Sequence, residues 1–258
     1  MNVKVSDEIK ELLDTMATRF NVPAFIESDP VQFPRRYEHM QDIEVSAFLT
    51  ATITWGKRSL ILKSAAKMHT IMGASPYDYV MGKGYESLEK TNVHRTFFED
   101  DMAYICRGLN TIYNKYDSIE TLFSSNPDKE KRIWEGIRLF REHIQHANSD
   151  VSDKSLKHVS NPDNSACKRL HLALRWLVRN DGIVDIGAWK NISPSELQIP
   201  LDVHVANISR KLGLLQRKQN DRKAVEELTA VLNGINPSDP ILYDFALFGI
   251  GESKILEK

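Results

Sequence analysis

Apolar residues recur every three or four positions along almost the whole chain, and nowhere do they alternate with polar ones long enough to build a sheet. That pattern confines the fold to packed helices. Ser6 stands ahead of the stripe Ile9, Leu12, Leu13 and Met16 and predicts a capped helix reaching Arg19. Asp29-Pro-Val-Gln-Phe-Pro34 is too rich in turn formers to continue it. An apolar segment runs from Asp42 to Thr54. After Trp55-Gly56 a second helix reaches about Met72, and Pro76 opens a short one. Met102, Ile105, Leu109 and Ile112 place a helix over 100–116, and two more fit into 118–147, the second amphipathic around Trp134, Ile137 and Phe140. The polar tract 148–164 predicts a loop or hinge. Helices follow over 165–179, from Asp202, over 221–232, and after Ser238-Asp-Pro240.

A chain of 258 residues can bury a large core, and no apolar run in it approaches ~18 residues. With no signal segment visible, the expectation is a cytoplasmic protein without membrane contact. Two cysteines, Cys106 and Cys167, suit a reducing compartment and are too few for a disulfide framework or a four-cysteine iron–sulfur cluster. No phosphate-cradling glycine loop is present, and His143 and His146 lack further ligand spacing, so neither cofactor nor metal is expected.

The formal net charge of −1 hides an uneven distribution. Residues 1–150 hold 19 basic and 22 acidic side chains, a net −3, whereas 151–258 hold 15 and 13, a net +2. Lys168, Arg169, Arg175 and Arg179 occur with no acid between 165 and 180. Arg210, Lys211, Arg217, Lys218, Arg222 and Lys223 are opposed within their span only by Asp221. Such clusters can neutralise phosphates, or they are merely the solvated faces of helices.

Chemistry concentrates between Ile199 and Leu215. Pro200 disfavours helix just before it, and Asp202 is a good N-cap. Val205, Ile208, Leu212 and Leu215 form one apolar stripe, Arg210 and Lys211 complement the dipole, and Gly213 supplies the stop. His204, Asn207 and Lys211 share the polar face. Asp202 is thus either a structural cap or a carboxylate presented at a helix start beside a cleft.

Leu201-Asp-Val-His-Val205, followed by Arg210-Lys-Leu-Gly-Leu214, resembles "V-D-T-H-V, then R-x-L-G-L" of the helix-hairpin-helix DNA glycosylases, the endonuclease III-like superfamily. The resemblance implies an all-α, two-lobed fold with a central cleft. Residues 42–147 would form mainly one lobe, and 165–251 would carry the hairpin-like and catalytic-aspartate segments. It makes Asp202 the catalytic acid. Asn164-Ser-Ala-Cys-Lys168 stands where bifunctional members carry "G-x-G-x-K-x-A", which makes Lys168 the candidate nucleophile. The hairpin glycines are replaced by Pro162, Asp163 and Asn164, and Asp185 to Glu196 is an insertion, a pattern similar to the archaeal 8-oxoguanine glycosylase branch. Thr52-Ile-Thr-Trp-Gly-Lys-Arg58 stands where the family has "L-S-Q-Q-T".

An extruded base would need large rings, and Trp55, Trp176 and Trp189 are available, with His204 beside Asp202. Lys57, Arg58, Ser165, Arg169, Arg175, Arg179, Arg217 and Lys218 are the candidate DNA contacts. The chain also resembles a bacterial family of unassigned activity. The matching motifs are Phe33-Pro-Arg-Arg-Tyr37, Lys168-Arg-Leu170, Leu174-Arg-Trp176, Asp185-Ile-Gly-Ala-Trp189, Pro200-Leu-Asp-Val-His204 and Tyr243-Asp-Phe-Ala-Leu247.

The expectation is a monomeric glycosylase excising a damaged base, such as an oxidised purine, from duplex DNA in base excision repair, with or without AP-lyase activity. Its alternatives are a non-catalytic DNA-damage binding module and an enzyme acting on another nucleoside or on RNA.

Overall fold

The computed structural model describes residues 5–253. Their order is α1 (Asp7–Phe20), α2 (Pro23–Ser28), α3 (Met40–Thr52), α4 (Arg58–Met72), α5 (Pro76–Met81), β1 (Asn92–His94), β2 (Phe97–Phe98), α6 (Glu99–Tyr113), α7 (Ile119–Phe123), α8 (Lys129–His146), α9 (Lys168–Val178), α10 (Val203–Lys211), α11 (Arg222–Ile235) and α12 (Tyr243–Ser253). The fold is mostly helical, as the periodicity requires. Half of the described helix starts are fixed by a local cap, while α2, α3, α4 and α9 begin without one. Ser6, Ser75, Ser118, Asp128, Asp202 and Asp221 all accept a backbone amide of the first turn through their side chains.

Two elements escape the periodic pattern. α2 begins at Pro23, which suits a first helical position, but at six residues it shows no stripe. The antiparallel pair β1–β2 is too short for alternation to register. His94 and Phe97 point inward from it, leaving Arg95 and Thr96 exposed at the tip.

One continuous apolar core runs through the described residues. α3 packs on α9 and α5, α6 on α8 and α5, and α7 on α8, while α12 packs on α1 and α10. The α1–α12 contact depends on Gly249, where a Cβ would sit 2.2 Å from the Phe20 ring. The tract 148–164 holds a 3-10 helix at Asp153–His158 between loops, and that helix packs on α6 and α8. Asn148 is fully buried and donates to Tyr104 O (2.9 Å) and Ile144 O (2.7 Å), and Leu156, His158 and Val159 are buried after it. Its polar side chains are partly satisfied within the protein: besides Asn148, Asp153 accepts from the Tyr104 hydroxyl (2.9 Å) and from Gln145 Nε2 (3.1 Å). None of the described helices is long and apolar enough to cross a membrane.

Candidate active site

Asp202 caps α10 in extended backbone (φ −109°, ψ −175°), its Oδ1 accepting from Val205 N at 2.9 Å. Its Oδ2 is left to face Lys168 Nζ, 4.0 Å away. Lys168 is the first residue of α9, and its ammonium donates to Thr54 O at 3.3 Å. Arg169 donates to Thr52 O at 2.8 Å, and its guanidinium lies over the Trp55 ring, 5.2 Å from the centroid. The start of α9 is thereby stitched to the loop leaving α3, with the start of α10 brought alongside. The two side chains stay reachable from solvent, 27% exposed for Lys168 and 37% for Asp202. Beside them Val203 is 61% exposed, unusual for so apolar a residue.

Electrostatics at the pair favours a less basic amine. Burial pulls Lys168 below its ordinary value, against the carboxylates of Asp202, Asp244 and Asp29, while Arg169 pushes it further down. The preceding residue, Cys167, is no rival nucleophile: it is fully buried, and burial pushes its thiol up to about 12. Cys167 holds a left-handed backbone (φ 46°), uncommon without a glycine. The turn leading to it is fastened at Asn161, whose side chain accepts from Asp163 N (3.0 Å) and whose carbonyl accepts from Ser165 N (3.1 Å). The Ser165 hydroxyl in turn accepts from Cys167 N at 3.2 Å.

Four of the predicted contacts are corrected by burial. Arg175 and Arg179 are 4% and 1% exposed and cannot reach a nucleic acid. Arg175 pairs with Asp185 and Asp244, and Arg179 with Asp185, Asp181 and Asp239. Guanidinium groups taken out of water persist only when carboxylates surround them; here Asp181 and Asp185 come from the loop just after α9, and Asp239 and Asp244 from the turn before α12 and from its start. Trp176 and Trp189 are core rings, 0% and 1% exposed, and not walls of a base pocket. The Trp189 indole donates to Glu44 Oε1 at 2.8 Å. Glu44 also accepts from the amides of Ile119 and Glu120, so this buried carboxylate organises the start of α7.

Trp55 alone of the three predicted rings is partly exposed. It is half-buried, stacked nearly parallel on His158 (20°, centroids 6.0 Å apart) with His94 edge-on. Lys57, His204 and Lys218 are exposed. Arg58 rests over the Phe248 ring at 4.7 Å, and Arg217 is taken up by Asp221.

Sequence reading missed Asp29 and Asp244, which act on the Lys168 amine from within the core. Asp244 had a signal, since it sits in Tyr243-Asp-Phe-Ala-Leu247. The quoted motifs in fact assemble: Arg35 donates to the carbonyls of Val184 (2.9 Å) and Asp185 (3.2 Å), Asp185 holds Arg175, and Arg175 holds Asp244.

The family model described as a protein of unknown function (DUF2400) matches residues 29–253. The chain belongs to that family. No curated protein and no solved structure matches it. The DUF2400 match begins at Asp29 and takes in every residue of the site and of the ion network behind it, leaving α1 and α2 outside among the described helices.

Proposed function

We propose that this DUF2400 chain is a DNA glycosylase with AP-lyase activity, built on a two-lobed helix-hairpin-helix glycosylase-like fold. The observation that carries the proposal is the Lys168–Asp202 pair, 4.0 Å apart where two helices start, with an amine made less basic by burial.

The chemistry follows from the two groups. As the C1′–N bond breaks, its electron pair leaves with the base, which takes a proton from solvent, and positive charge grows on the sugar. The Asp202 carboxylate faces that charge and stabilises it. Lys168, in its neutral form, donates its lone pair to C1′ and loses a proton as the sugar ring opens to the Schiff base. That adduct acidifies the neighbouring C2′ position and permits elimination of the 3′ phosphate. Trp55, partly exposed beneath the Arg169 guanidinium, is the one ring that an extruded base would meet, and Val203 offers an apolar contact beside the sugar. Lys57, Arg58 and Arg169 surround this opening with positive charge that attracts the damaged strand.

Borohydride trapping across duplexes carrying single base lesions and a natural abasic site tests the reading. A covalent protein–DNA adduct is expected with the native chain and none with Lys168→Gln. Excision without any trapped adduct would reassign the reaction to a water-activated, monofunctional mechanism. Binding to lesions with neither excision nor trapping would favour the damage-binding module instead.

A further inference from the structure

The loop from Thr52 to Lys57 is held from two sides. α9 grips it through Lys168 and Arg169, as described above. The β1–β2 hairpin holds the other side, and it is fastened along its length. His94 lies 2.9 Å from Trp55 O through Nε2 and 3.0 Å from Ser64 Oγ through Nδ1. Burial, with Arg95 alongside, lowers the basicity of this imidazole, which suits a neutral ring donating to the carbonyl and accepting from the hydroxyl. Lys67 donates to Asn92 O at 2.8 Å and ties β1 to α4.

Arg95 projects from the tip of this anchored hairpin. Its backbone is left-handed (φ 52°), and Asn92 Nδ2 holds its carbonyl at 2.7 Å. The guanidinium lies against Gly56, itself at φ 93°, where an added Cβ would meet Arg95 Nη1 at 2.6 Å. Glycine there provides the seat for the arginine. Yet Arg95 is exposed, and no carboxylate lies within 4.0 Å of it among the described residues. Lys57, Arg58 and Arg169 are likewise without a carboxylate. Other arginines without a carboxylate partner are mostly held by carbonyl or amide oxygens, as Arg35, Arg107, Arg141 and Arg210 are, whereas Arg132, Arg138, Arg175, Arg179, Arg217 and Arg222 are neutralised. The positive φ belongs to the two-residue turn between His94 and Phe97, which requires it at its first central residue, so what sets Arg95 apart is an exposed guanidinium seated on Gly56 at the tip of a pinned hairpin, beside the loop that carries Trp55.

We infer that the 92–98 hairpin is a phosphate-contact arm, with Arg95 pairing a backbone phosphodiester of the strand engaged at the Lys168–Asp202 site. The inference rests on the proposed nucleic-acid chemistry but not on base excision. A planar guanidinium pre-placed on a rigid hairpin suits a phosphate's oxygens and contributes sequence-independent affinity.

Fluorescence anisotropy with a short labelled duplex carrying a tetrahydrofuran abasic analogue, titrated over a range of salt, tests the arm. Arg95→Gln is expected to weaken binding about tenfold at low salt and to reduce the slope of log affinity against log salt by about one, with Arg95→Lys largely restoring both. Arg95→Gly, which relieves the left-handed strain, is expected to keep or raise the melting temperature while binding as poorly as the glutamine variant. Native affinity and an unchanged salt slope in Arg95→Gln and Arg95→Gly would overturn the arm, as would a native chain that binds no duplex at any salt. Loss of binding with Arg95, in a native chain that neither excises nor traps, would leave the arm standing and remove only the glycosylase reading.

Discussion

The two halves of α9 carry the same charge and do opposite things. At its start Lys168 and Arg169 touch only carbonyl oxygens, an aromatic face and, at 4.0 Å, one partly exposed carboxylate. Two turns on, Arg175 and Arg179 are enclosed by Asp181, Asp185, Asp239 and Asp244. The first half keeps its charge available to a ligand, and the second spends it on holding α9 to α12 and to the loops around it. Basic character along a helix therefore says little about binding until the partners of each cation are known.

The comparison breaks most readily at the enclosed end. Arg179→Ala leaves Asp185 buried with half its compensation gone, and the expected loss of stability is about 3–5 kcal/mol, read by urea denaturation. A loss no larger than that of a surface substitution would mean that the enclosed half is not structural. Next comes Asp202→Asn at the open end. Asparagine caps a helix as well as aspartate does, so the melting temperature should hold, while excision falls about a hundredfold or more as a charge facing the oxocarbenium is lost. Equal activity in the variant would reduce Asp202 to a cap.

A finer test uses the amine itself. Lys168 lies below the ordinary lysine value, so Schiff-base formation at a pre-formed abasic site should rise with pH about a midpoint lower than that of free lysine. Asp202 raises this amine and Arg169 lowers it. The midpoint should move to lower pH in Asp202→Asn and to higher pH in Arg169→Gln, as followed by trapping rate. Shifts in the same direction for both variants would show that the neighbours act through packing rather than charge. The smallest effect is expected at Lys218, exposed and distant in sequence from either half. Lys218→Gln should leave stability unchanged and reduce duplex affinity less than Arg169→Gln does.

Much of this was legible beforehand, for identifiable reasons. Helices with a buried stripe announce themselves, and Ser6, Asp202 and Asp221 cap where the sequence puts them because capping is local. The Lys168–Asp202 juxtaposition came from the family resemblance, since no local rule joins residues so far apart. Arg175 and Arg179 were misread because half of their cage, Asp239 and Asp244, is brought in only by tertiary packing, while the other half, Asp181 and Asp185, lies in the loop just after the helix and gives no sign in sequence of turning back on it. Trp176 and Trp189 were misread for the complementary reason: a large ring suits a core and a pocket equally, and sequence does not separate them. The hairpin escaped because strands of three and two residues carry no period, although an arginine between a buried histidine and a buried phenylalanine is a faint sign of a turn.

The packing of α1 on α12 bears on how the chain is made. α1 leaves the ribosome long before α12, and until α12 follows it lacks the main surface on which it packs. Asp244 belongs to that same late helix, so Arg175 waits for one of its two counter-charges through most of synthesis. Folding thus closes by long-range contacts, which are slow to form and leave apolar surface open meanwhile. A nascent chain stalled before residue 243 would hold Lys168 and Asp202 yet lack Asp244 and the apolar face of α12 behind them.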